Sequence, residues 1–173
     1  SASRGTLIHD ALDRFFRELK QIGRPGPREP WGPEDEARLL VIGGEELDKA
    51  RDRGITGLDV FGRHEARTIR TDLSRFLEED YTFRLETGAV PTHFESAVPE
   101  TEIAGVRLRG NVDRIDITPD GQRAWVIDYK TGSAYNFRKI TPGDPLAGGK
   151  KLQLPTYLAT VPDMPDASAV YWF

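Results

Sequence analysis

Apolar residues recur every three to four positions through the first half of the chain and every second position through much of the second half. These are the periods of amphipathic helices and of half-buried strands. From Arg4 to Lys20 they fall at Leu7, Ile8, Ala11, Leu12, Phe15, Phe16 and Leu19, which predicts a helix with a wide buried face. The stretch GRPGPREPWGP, Gly23 to Pro33, predicts a Pro/Gly loop. A second helix is expected from Pro33 to about Arg53, with Glu34, Asp35 and Glu36 favouring its positive end and Gly43 and Gly44 weakening it. A third should run from about Leu58 to Glu86 through Ala66, Ile69, Leu73, Phe76 and Leu77.

After Gly88 the pattern changes. THFESAVPE, GVRLRGNVDRIDI and AWVIDYKTG read as strands joined by short turns, with TPDGQ as the last of those turns. NFRKITPGDPLAGGK reads as a long loop. KLQLPTYLATV reads as a helix that tolerates Pro155 only near its first turn, and ASAVYWF closes the sheet. Helices followed by a hairpin-rich sheet predict an α/β fold bordering on α+β, a central mixed sheet flanked by helices. The reading is of one domain over 1–173, helical over 1–88 and sheet-bearing over 89–173. A start without Met and an end inside an apolar strand suggest a domain cut from a longer protein.

Composition narrows the chemistry. With no cysteine, the chain has no disulfide, no thiolate metal site and no cysteine nucleophile. No apolar run approaches the ~20 residues of a membrane span. A cytoplasmic setting is therefore expected. A net charge of −4 argues against indiscriminate nucleic-acid binding, yet a carboxylate-lined metal site would itself make a domain acidic. Eighteen of the 24 basic residues are Arg, which suits bidentate phosphate contacts and equally a compositional bias of the genome.

The hairpin GNVDRIDITPDGQRAWVIDYKTG sets Asp113, Asp128 and Lys130 among strand-core residues, where a charge is costly unless paired or bound to metal. Asp128 and Lys130 share one side of their strand, and the turn can bring Asp113 beside Asp128. The inward parity of the preceding strand switches near Gly110, where a bulge is expected. Two carboxylates beside a lysine form a hard-oxygen site suited to Mg²⁺ or Mn²⁺. The same residues also read as a buried Asp–Lys ion pair, with Arg114 and Asp116 facing solvent.

In order, GTLIHDALDRF, GNVDRID, VIDYKTG and QLPTYL resemble the motifs of RecB-type nuclease domains of the PD-(D/E)xK superfamily. The resemblance runs from Gly5 to the end of the chain and implies a restriction-endonuclease-like core preceded by a helical region. It implies that His9, Asp113 and Asp128 are metal ligands, with the carbonyl of Tyr129 as a further donor. Lys130 would orient or help to deprotonate the attacking water. Gln153 and Tyr157, four apart on one helix face, would touch the phosphate or support the ligands. The implied activity is Mg²⁺- or Mn²⁺-dependent hydrolysis of DNA, more in the manner of an exonuclease than an endonuclease. The implied setting is the nucleoid, in recombinational repair or DNA-end processing. The implied partners are DNA, a helicase domain in the same polypeptide and a second helicase–nuclease subunit. An iron–sulfur cluster, which some of these domains hold through flanking cysteines, would need cysteines from outside this chain.

Other readings stay open. A stand-alone exonuclease or a CRISPR-adaptation nuclease would share the chemistry, and an inactive DNA-binding or scaffolding module would share the fold. His9 sits at the edge of its helix's apolar arc, where a packed histidine is the plainer reading. Glu95 is a further candidate ligand, or an ordinary cross-strand partner. His64 and His93 match no motif. Arg63, Arg67 and Arg70 form a basic helical stripe that reads first as a solvated face and second as a DNA contact.

Overall fold

The computed structural model describes residues 4–53, 59–103, 106–131 and 166–172. Contacts cluster into two compact units, Ser1–Gly88 and Ala89–Phe173. The first holds α1 (Arg4–Gln21), α2 (Pro33–Asp52) and α3 (Asp59–Thr87), whose limits lie within two residues of the periodicity. The second holds β1 (Val90–Ile103), β2 (Val106–Ile117), β3 (Arg123–Tyr129) and β4 (Asp166–Trp172). The expected loop over 136–150 and helix over 151–161 lie outside the described residues.

In the helical unit, the apolar arc of α1 is buried from Leu7 to Leu19, against Leu39 and Ile42 of α2 and Leu73, Phe76 and Leu77 of α3. Phe16 meets Phe76 edge to face at 5.9 Å between centroids. Burial of these side chains is the main stabilising contribution, each worth about 1.5–3 kcal/mol. The loop before α2 is fastened by charge. Arg24 donates to both oxygens of Asp35 at 2.7 and 3.0 Å, and Asp35 also accepts the Gly32 N–H at 2.8 Å, capping α2 from within. These donors hold the Asp35 carboxyl below its usual range despite the opposing effect of burial. Deeper in, fully buried Arg84 donates to Asp80 at 2.8 Å and to the Gly26 carbonyl at 2.5 Å, while the Trp31 indole donates to Asp80 at 2.9 Å. Burying these charges is tolerable because each finds a partner of opposite sign.

The sheet has the order β1-β2-β3-β4, antiparallel for the first two pairings and parallel for the last. It is the mixed sheet the strand pattern predicts. Val112, Ile115, Ala124 and Val126 form a buried cluster with Ile117, Ala169 and Tyr171 packed against it. Two register shifts interrupt the β1–β2 ladder, between Pro91 and His93 and between Val98 and Thr101. The second lies opposite Gly110, where the sequence predicts a bulge, but the extra residue belongs to β1.

One expectation is overturned. Arg114 and Asp116 do not face solvent; both are 0% exposed. They neutralise each other through two hydrogen bonds of 2.5 Å, and the Arg114 guanidinium lies 5.5 Å from the Trp172 ring centroid. Strict alternation assumes one wet face, whereas a sheet containing a parallel pair is commonly covered on both.

Candidate metal centre

Register brings Glu95, Asp113 and Asp128 of the sheet into one row. Phe94↔Arg114 and Ser96↔Val112 bracket Glu95 and Asp113, which therefore stand opposite each other on β1 and β2. The β2–β3 ladder ends at Arg114↔Ile127, one step short of Asp113 and Asp128, and Asp128 pairs with Tyr171 on β4. Paired residues share a face of the sheet. Glu95, Asp113, Asp128 and Tyr171 thus cross four strands on one side.

Each member is held differently. Asp113 is half-buried, and its Oδ2 accepts the Tyr129 N–H at 2.7 Å. The carboxylate takes a strand donor at the point where the ladder stops, which fixes its rotamer. Glu95 and Asp113 offer oxygens within 4.8 Å of each other, a separation one cation can bridge. Glu95 adopts φ 42°, the only positive value at a non-glycine position among the described residues. Such a conformation costs about 1–3 kcal/mol and survives where the surroundings over-determine it, which is common in ligand-binding sites. It also re-aims the side chain just past a register shift.

Asp128 is 2% exposed and ion-paired with the Lys130 ammonium. Lys130 is anchored at its backbone, whose N–H donates to the Trp172 carbonyl at 2.7 Å, and its Nζ lies 5.4 Å from the Tyr171 ring centroid. The ring faces the cation with its negative quadrupole, so β4 helps to place the lysine. Sequence reasoning missed Tyr171; AVYWF carries only a strand signal, and the pairing of Asp128 with Tyr171 follows from the parallel register. Glu95 stays between two readings in the sequence, because its backbone conformation depends on the partner strand.

His9 lies on α1, half-buried, in the helical unit. Gln153 and Tyr157 lie outside the described residues. Tyr129 is buried at the end of β3. Three carboxylates on one face are a hard-oxygen donor set, which fits Mg²⁺ or Mn²⁺ and not a soft thiophilic metal.

Residues 1–173 match the PD-(D/E)XK nuclease superfamily, and the chain belongs to it. Nucleases of this superfamily use divalent metals, and the acidic row is where this chain could hold one. A curated relative, an ATP-dependent helicase/deoxyribonuclease subunit from Lachnoclostridium phytofermentans (strain ATCC 700394 / DSM 18823 / ISDg), is 26% identical over 166 residues. The match covers 92% of this chain and 13% of that protein, so the chain spans about an eighth of its relative's length. Among the described residues, no helix is long and apolar enough to cross a membrane.

Proposed function

We propose that this chain is the nuclease domain of a helicase–nuclease, hydrolysing DNA phosphodiesters with Mg²⁺ or Mn²⁺ in recombinational repair or DNA-end processing. It acts from strand ends, on the nucleoid, alongside a helicase motor in the same polypeptide and a second subunit. The name and length of the relative support that setting. The observation that carries the activity is the row of Glu95, Asp113 and Asp128 across three adjacent strands, with Lys130 beside it.

The three carboxylates and the Tyr129 carbonyl would be the oxygen ligands, and His9 would be the nitrogen ligand by its place in the opening motif. When bound, a divalent ion there would neutralise phosphate charge and stabilise the attacking and leaving oxygens of an in-line displacement. The chain's own part is placement. Lys130, ion-paired with Asp128, offers ammonium donors with which to orient water or a phosphate oxygen. The Tyr129 N–H keeps Asp113 in one rotamer. Gln153 and Tyr157, by their motif, contact the phosphate.

The test is cleavage of labelled linear and circular DNA by the chain. Degradation of linear DNA with Mg²⁺ or Mn²⁺, and none in chelator, is the expected result. Cleavage that persists in chelator would remove the metal from the reading. A chain that binds DNA and the ion but cuts nothing would favour a scaffolding module on a nuclease fold.

A further inference from the structure

Arginines of the helical unit are mostly spoken for. Arg14, Arg17, Arg24, Arg38, Arg51 and Arg84 each pair with a carboxylate. Arg67 and Arg70 on α3 are exposed, and no carboxylate among the described residues pairs with either. They line an open groove of about 510 Å³ together with Leu40, Thr71, Ser74, Arg75 and Glu78. Arg75 is only loosely held, by Glu79 at 3.4 Å. On a chain of net charge −4, three guanidiniums against the single lining carboxylate of Glu78 are a local reversal of sign.

We infer that this groove binds the phosphodiester backbone of DNA, through residues other than those that carry the chemistry. Guanidinium forks match phosphate oxygens bidentately, and the Ser74 hydroxyl adds a donor beside them, the Thr71 hydroxyl donating to the Arg67 carbonyl at 3.1 Å. From Arg67 to Arg75 the helix rises about 12 Å, which spreads the charges along a strand and does not focus them on a point. No aromatic side chain lines the groove, so it offers bases no stacking platform. Recognition is therefore of backbone and indifferent to sequence. The identity of the polyanion rests on the nuclease reading; the groove's chemistry does not.

The experiment is binding of a labelled oligonucleotide by the full chain in chelator, from about 50 to about 200 mM salt, the range over which phosphate contacts weaken steeply. Loss of two phosphate contacts lowers the log–log salt slope by about 1.4 on a single strand and about 1.8 on a duplex, which also tells the two substrates apart. Arg67→Gln/Arg70→Gln is expected to show that fall and weaker binding to every sequence tried. Its melting temperature and Mn²⁺ affinity should stay at wild-type values. Arg28→Gln/Arg53→Gln removes equal charge from exposed positions outside the groove and is expected to keep the slope. An unchanged slope in the first variant, an equal fall in the second, or no DNA binding by the wild type overturns the assignment. If the slope falls but Mg²⁺ and Mn²⁺ support no cleavage, the nuclease reading fails and the groove stands. Cleavage with an unchanged slope is the reverse.

Discussion

In the proposed site Asp128 and Lys130 divide two tasks that single substitutions can separate. Asp128 is nearly inaccessible, and its charge is compensated by Lys130, which keeps a quarter of its side chain exposed. In Asp128→Ala a carboxylate leaves the row, so Mn²⁺ affinity measured by calorimetry should drop by at least about tenfold, the scale on which even outer-shell partners of a metal act. Cleavage should vanish with it. Lys130→Ala removes no oxygen ligand and frees Asp128 of a competing cation, so Mn²⁺ affinity should hold or rise. The rate should nevertheless fall by about 10²–10³, the scale of losing one placed hydrogen-bond donor to the reacting groups. Equal loss of Mn²⁺ affinity in both variants would show that Lys130 shapes the ligand set and does not simply orient what reacts there.

At the scale of elements, the adjacent glycines of α2 have opposite roles. A Cβ on Gly43 would stand 2.6 Å from Leu73 Cδ1 of α3, whereas one on Gly44 would meet nothing within 4 Å. Leu73 is 0% exposed and has little room to yield. Gly43→Ala should therefore destabilise by about 1–3 kcal/mol, as overpacking does. Gly44→Ala should stabilise by roughly 0.5–1 kcal/mol through helix propensity. Denaturant titration of the two variants checks the signs, and a stabilising Gly43→Ala would mean the two helices can part freely. Both glycines look like the same helix-weakening pair in the sequence, because close approach is a property of the facing helix. The helices and β1 to β3 were legible because each repeats its apolar residues with one period. The parity of Asp128 and Lys130 was legible for the same reason. Burial of Arg114 with Asp116 was not, since alternation cannot show that two charges cancel. Nor was the φ of Glu95, which β1 acquires only by pairing out of step with β2.

For the whole molecule, the proposed nuclease activity asks a negative chain to accept a polyanion, and the acidic row sharpens that conflict. Glu95 and Asp113 face each other across two strands with Asp128 next in line, and like charges directly opposite destabilise a sheet. A bound cation reverses the sign of that contribution. A ligand that binds only the folded state stabilises by about 2.7 kcal/mol at a hundredfold excess over its Kd. In a chain of this length, that is roughly 5–10 °C in melting temperature. Millimolar Mn²⁺ should therefore raise the wild-type transition, followed by calorimetric scan, and chelator should reverse the shift. Asp113→Asn keeps an oxygen to accept the Tyr129 N–H at the end of the ladder while removing one charge from the row. It should melt higher than wild type in chelator and lose most of the Mn²⁺ response. Were it to melt lower in chelator, the Asp113 charge would be serving the hairpin itself, as a partner the fold needs with or without an ion.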